Sequence, residues 1–147
     1  MGGAPTIHAS CVALDGTGLL IRGPSGSGKS SLALRLILDA PRALPDAKLV
    51  ADDRVRLDAR EGRLFATPPE ELAGLLEVRN LGIRRLPFLS TCPVSLVVDL
   101  AAGDADRLPP EGATRTVLEG ISLFRIALPT GADAALVIAA ALRSQIF

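Results

Sequence analysis

The stretch GPSGSGKSS, residues 23–31, lies between the apolar run Leu19-Leu20-Ile21 and a helix-like run that starts at Leu32. Its first eight residues fit the spacing G-x-x-x-x-G-K-[ST] at every fixed position. A loop so rich in glycine and serine costs conformational entropy to order. The pattern names what offsets that cost. Glycines let successive backbone N–H groups turn inward around phosphate oxygens with no Cβ in the way. A helix opening near Lys29 adds the positive end of its dipole. Lys29 is spaced to reach the β- and γ-phosphates, and the Ser30 hydroxyl to ligate Mg²⁺. Residues Gly23, Pro24, Ser25, Gly26, Ser27, Gly28, Lys29, Ser30 and Ser31 are therefore expected to hold the phosphate chain of a nucleoside triphosphate such as ATP, or another phosphate chain.

The pattern on either side supplies the context this motif needs. Residues 6–14 alternate loosely and read as a strand, followed by a turn at Asp15-Gly16-Thr17-Gly18. Leu19 to Arg22 is a short run of buried-strand character. Residues 29–39 put Leu32, Ala33, Leu36 and Ile37 on one helical face, and Pro41 and Pro45 are expected to end that helix. A second buried strand at 47–53 finishes in two carboxylates. Residues 54–68 alternate about Glu61-Gly62 as a hairpin. Residues 68–78 read as a helical turn and then a strand from Leu76. Strands are predicted at 94–100 and 121–129, a polar loop at 105–115, and a helix over the tail 131–147. Hairpins beside strand-to-helix units predict an α/β fold: a phosphate-loop (P-loop) mixed β-sheet with flanking helices, one domain over 1–147.

Composition narrows the classes. A chain of 147 residues, 48% of them hydrophobic, suits one core. Lys plus Arg (16) equals Asp plus Glu (16), which argues against a broad nucleic-acid or anionic-membrane surface. With no Trp or Tyr and four Phe, a base-stacking platform is not expected. Cys11 and Cys92 have no metal spacing and read as buried small hydrophobes in a reducing compartment. No charged n-region precedes an apolar h-region, and the longest apolar stretch, Ala134 to Leu142, falls short of a spanning helix. A soluble, cytoplasmic domain is expected.

A phosphate loop needs a carboxylate to orient magnesium and, for transfer to a hydroxyl, a base near the acceptor. Two strands end in acid: LVADD gives Asp52 and Asp53, and LVVD gives Asp99. Either could instead be a turn carboxylate. Adjacent carboxylates repel one another unless a cation sits nearby, which beside a phosphate loop favours the pair. The pattern alone leaves the choice open.

Four segments, in order, resemble the HPr kinase/phosphorylase family, bacterial enzymes that phosphorylate a serine of the phosphocarrier protein HPr. IHASCVALDGTGLLIRGPSGSGKSSLAL (7–34) resembles the family's His-led strand, glycine turn and phosphate loop. LVADDRVRL (49–57) resembles its paired-aspartate strand. LLEVRNLGI (75–83) is similar to the signature L-E-I-R-G-L-G-I, and ADRLP (105–109) resembles a segment carrying a catalytic arginine. The resemblance runs from about His8 to Pro129 and implies a short form made of the catalytic domain alone. It implies that His8 assists the acceptor chemistry and that Lys29 binds the terminal phosphates. Ser30 and Glu77 would be the magnesium ligands. One of Asp52 and Asp53 would take the proton from the HPr serine hydroxyl, with the alignment favouring Asp53. Arg79 would steady the phosphates or the partner, and Arg107 would stabilise charge in the transition state. Asp99 then becomes an ordinary strand-end residue. ATP and Mg²⁺, an HPr-type acceptor and a homo-oligomer follow as expectations.

The departures refine this. Asn80 stands where the family usually has glycine, Ser31 follows the loop where many members have glutamate, and residues 39–47 lengthen the turn before the aspartates. LPTGAD (128–133) replaces a family Pro-x-x-Gly-Arg-Asn segment linked to dephosphorylation, so kinase activity is expected and phosphorylase activity is not. A nucleotide-sensing module without phosphotransfer, and a small-molecule kinase on the same loop, are the competing readings.

Overall fold

The computed structural model describes residues 5–43 and 46–144. The phosphate-loop motif follows strand β3 (Thr17–Arg22) and opens helix α1 (Lys29–Ala43). The region read as one strand, 6–14, is two: β1 (Thr6–His8) and β2 (Ser10–Leu14). They part because they pair with different elements, β1 with β5 (Arg54–Arg60) and β2 with β3 and β4 (Ala47–Ala51). Between them the Ala9 amide donates to Asp53 O at 3.2 Å.

The main sheet runs β1-β5-β6-β9-β3-β2-β4, with β6 at Arg63–Thr67 and β9 at Cys92–Asp99. β11 (Ile121–Ala127) lies parallel along the second half of β9, and β10 (Arg115–Leu118) pairs antiparallel with β11. A separate hairpin joins β7 (Leu75–Val78) to β8 (Gly82–Arg85). α2 (Ala134–Arg143) ends the described chain. The sheet is mixed, as its hairpins and crossovers predict: β3, β9 and β11 are parallel and their other neighbours antiparallel.

Alternate residues of the central strands face two cores, which is why those strands read as unbroken apolar runs. Val12, Leu19, Ile21, Leu49 and Val98 face the helices, with Leu32 and Leu36 of α1 and Ile138 of α2. Cys11, Leu20, Val50 and Val97 face the other way, against Val55, Leu57 and Leu64 of the β5–β6 hairpin. α2 buries Ile138 and leaves Leu136 and Leu142 exposed.

Several elements differ from expectation. α1 continues past Pro41 to Ala43. Proline there removes one amide donor, and the cost is confined to the helix's last turn. Pro45, the other expected terminator, and residues 145–147 of the tail lie outside the described residues. The second buried strand stops at Ala51, so both aspartates sit beyond it. β8 and β10 were not predicted. β8 is exposed throughout and carries two arginines, so it lacks the alternation that marks a half-buried strand. β10 starts inside a segment whose Pro, Gly and charge content reads as loop.

In register, Asp99 is opposite both Arg22 and Ala127. The loops that follow β3, β9 and β11 thus leave the sheet at one end, the end where ligands bind in open parallel sheets. β4 also ends there, with Ala51 opposite Cys11 of β2.

Candidate active site

At that end a cleft of about 350 Å³ opens over the phosphate loop. Its floor is Gly26, Gly28, Lys29 and Ser30, with Ser25 and Ser31 at the rim. Gly26 and Gly28 have φ of +82° and +97°, and a Cβ on either would meet only open space. The loop therefore offers a concave run of backbone that a side chain would fill. Gly23, Pro24 and Ser27 do not line the cleft. The carbonyls of Gly23 and Pro24 accept from Lys29 Nζ at 2.8 and 3.1 Å, holding the buried ammonium across the loop. Ser27 Oγ is the one buried side-chain oxygen among the described residues without a hydrogen-bond partner.

The two aspartates, adjacent in sequence, face different surroundings. Asp52 is buried, and its Oδ1 accepts from both Ser10 Oγ and Ser30 Oγ at 2.7 Å. A longer contact of 3.4 Å brings the Glu77 amide to its Oδ2. A buried carboxylate needs such donors, because desolvation without them is costly. Asp53 is open to the cleft, 66% exposed, and its Oδ1 lies 3.1 Å from His8 Nε2. Its backbone has φ +69°, a left-handed conformation that aspartate tolerates better than most residues but that still costs free energy. That turn separates the pair, sending one carboxylate into the protein beneath Ser30 and the other into the cleft.

The β7–β8 hairpin forms the opposite wall and presents Glu77 and Arg79 to the same cleft. The turn between its strands has Asn80 at φ +72°. Asparagine is the non-glycine residue that best accepts this conformation, so the replacement of the family's usual glycine leaves the turn in place. His8, Lys29, Ser30, Asp53, Glu77 and Arg79 are thus brought together, with Asp52 behind Ser30. Arg107 is not: it is exposed on the loop after β9 and lies outside the cleft lining. Among the described residues no three His, Cys, Asp or Glu side chains form a metal cluster. The donor set of one hydroxyl and exposed carboxylates suits Mg²⁺, which keeps waters and binds through one or two carboxylates plus phosphates.

Two features were not foreseen. Ser10 holds Asp52 from below, and one serine in an apolar strand carries no signal for that. Asp99 belongs to an ion network: its Oδ1 accepts from Arg22 Nε at 2.7 Å, and its Oδ2 from Arg22 Nη2 at 2.8 Å and Arg125 Nε at 2.6 Å. Burial alone would raise its pKa, but the hydrogen bonds and charges of the two guanidiniums hold it below the usual carboxylate range. Asp99 is thus committed to structure.

A phosphate loop at the parallel end of a mixed sheet, walled by a second hairpin and backed by an acid pair, defines a P-loop α/β protein of a particular architecture. The family model for the HPr Serine kinase C-terminal domain matches residues 2–147, and the chain belongs to that family. Curated HPr kinase/phosphorylases are similar: that of Limosilactobacillus reuteri is 35% identical over 150 residues, covering 92% of this chain and 45% of its own length. That of Clostridium tetani is 36% identical over 148 residues, with 92% and 46% covered. The chain spans less than half the length of these relatives. The solved structure of the Hpr(Ser) kinase/phosphatase from Coxiella burnetii has a TM-score of 0.75 and 25% identity, over 95% of this chain and 94% of that one.

Proposed function

We propose that the protein is an ATP-dependent serine kinase whose acceptor is an HPr-type phosphocarrier protein. The observation that carries this reading is the Asp53 carboxylate, open to the cleft beside His8 and facing the phosphate-loop floor. In this scheme the loop amides and Lys29 hold the β- and γ-phosphates of ATP, with Lys29 exchanging its bonds to loop carbonyls for bonds to phosphate. Ser30 and Glu77 would hold Mg²⁺, which supplies positive charge to the transferring phosphoryl group. Asp52 orients Ser30. His8 holds Asp53 in place, and Asp53 takes the proton as the acceptor serine oxygen attacks the γ-phosphorus and ADP leaves. Arg79 lies where it can steady the phosphates or the incoming protein. Most of the rate gain is positioning and charge stabilisation.

The test incubates the purified chain with Mg²⁺, γ-labelled ATP and an HPr protein. Label is expected on an HPr serine. Asp53→Asn is expected to lower kcat by about 10²- to 10⁴-fold, the range for losing a positioned base. Asp58→Asn, exposed on β5 and outside the cleft lining, is expected to leave it unchanged. ATP binding with no label on HPr would overturn the kinase reading and favour a nucleotide-sensing module.

A further inference from the structure

Arg125 makes more specific contacts than any role as a strand residue requires. Its Nε donates to Asp99 Oδ2 at 2.6 Å, its Nη1 to Asp104 Oδ2 at 2.8 Å and to Ala113 O at 3.1 Å, and its Nη2 to Asp104 Oδ1 at 3.0 Å. These partners belong to two structures. Asp99 grips Arg22 through both oxygens, and Arg22 is the residue before Gly23, where the phosphate loop begins. The Arg22 carbonyl also accepts from the Leu100 amide at 2.8 Å. Asp104 and Ala113 are the two ends of an arm, residues 105–112, that leaves the sheet beside the phosphate loop. The arm is exposed along nearly its whole length, Leu108 to 82%. Among the described residues its own hydrogen bonds are local, such as Leu108 N to Asp106 Oδ1 at 3.3 Å and Ala113 N to Pro110 O at 2.9 Å.

We propose that Arg125 is a positioning residue that joins the root of the phosphate loop to both ends of the 105–112 arm, so that loop and arm move as one body. The physical reason is the shape of the guanidinium. A planar fork with five N–H donors can satisfy two carboxylates and a carbonyl in fixed directions at once, which an ammonium cannot. The Arg125 side chain is itself only 14% exposed, so its bond to the half-buried Asp99 is partly shielded from water, whereas its bonds to the exposed Asp104 rest on the geometry of the fork. The consequence for chemistry, which rests on the kinase reading above, is that the arm carrying Arg107 is anchored at both its ends to the root of the phosphate loop. The arm then presents Arg107 and Leu108 to an acceptor protein without first paying to order its base.

The experiment compares Arg125→Gln, Arg125→Lys and Asp104→Asn with the parent chain. Amide hydrogen exchange over 23–28 and 105–112 is measured first, then affinity for a fluorescent ADP analogue with Mg²⁺, then kcat and KM for HPr phosphorylation. Arg125→Gln is expected to speed exchange in both segments together and to weaken ADP binding by about tenfold, a size seen for residues acting through a network. Arg125→Lys keeps the charge and is expected not to rescue it. Asp104→Asn cuts the link on the arm side only. It is expected to speed exchange in the arm, leave ADP affinity unchanged, and lower kcat more than it raises KM. Exchange that rises only in the arm in Arg125→Gln, or uniformly over the chain in both Arg125→Gln and Asp104→Asn, overturns the proposal, as does rescue by lysine. If the parent chain does not phosphorylate HPr, the kinase reading fails on its own, and the exchange pattern still decides whether loop and arm are joined.

Discussion

Ser10 and Asp53 show how much a single side chain decides at this site. The Ser10 hydroxyl is fully buried and spends its proton on Asp52 Oδ1, the same oxygen that receives the Ser30 hydroxyl. Removing it leaves a buried carboxylate with one side-chain donor fewer. Ser10→Ala is accordingly expected to cost about 1–3 kcal/mol, the penalty for leaving a buried polar group short of a partner. It should also loosen Ser30 and weaken Mg²⁺–nucleotide binding. Urea denaturation and nucleotide titration check this, and a variant unchanged in both would show that Ser30 and the backbone suffice. None of this was legible in ASCVAL, because a hydroxyl among small apolar residues has no pattern of its own. The pair LVADD was legible as a candidate site, but not which acid does what. That division depends on the left-handed backbone at Asp53, which no local sequence rule dictates for an aspartate.

At the scale of elements, β3 is the strand on which the site is hung, and Gly18 is what lets its neighbours close around it. A Cβ at Gly18 would lie 3.0 Å from Pro93 O, 3.3 Å from Cys92 Sγ and 3.4 Å from Cys11 Sγ. The two thiols meet over this glycine. Burial pushes the Cys11 thiol far up from its usual pKa, with a smaller contribution from Cys92, so it stays protonated. The nearest of these atoms is a backbone oxygen and cannot swing away, so Gly18→Ala is expected to destabilise by about 1–3 kcal/mol as an overpacked site. Gly103→Ala, with open space around it, is expected to change stability little. Thermal unfolding of the two side by side separates packing from chain entropy. The strands flanking Gly18 were legible because burial on both faces makes them near-continuous apolar runs. β8 was not, because a strand exposed throughout with two arginines carries the same residues that loops carry, and β10 was not, because its four residues follow directly on a Pro- and Gly-rich loop. The break at Ala9 was hidden for another reason: both halves are β in character, and only their different partners separate them.

Across the whole molecule, the Arg22–Asp99–Arg125–Asp104 network ties three parallel strand ends together, and it makes acid the solvent condition that tests it. Hydrogen bonding to Arg125 is the main cause holding Asp104 below its usual pKa, and Asp99 is lowered by both arginines against the effect of burial. A carboxylate whose pKa is lower in the folded state than in the unfolded one binds fewer protons when folded. Stability from it is therefore complete above the unfolded value, about 3.9 for aspartate, and is lost as the pH falls through the folded value. Removing one member of a half-buried ion network leaves the two guanidiniums short of a partner, so Asp99→Asn is expected to cost about 1–3 kcal/mol at pH 7, the range for losing a partner of a partly desolvated polar group. Below about pH 4 the unfolded chain's carboxylate takes up a proton first, so the gap between the two proteins begins to narrow there and closes only as the pH falls through the lower folded value of Asp99. Denaturant midpoints from pH 7 to pH 3 give the measurement. A gap that narrows only below pH 4 places the stabilisation in the charged network. A gap that stays constant to pH 3 would mean that Asp99 acts through shape and neutral hydrogen bonds, and the arginines would then hold the strand ends without its charge.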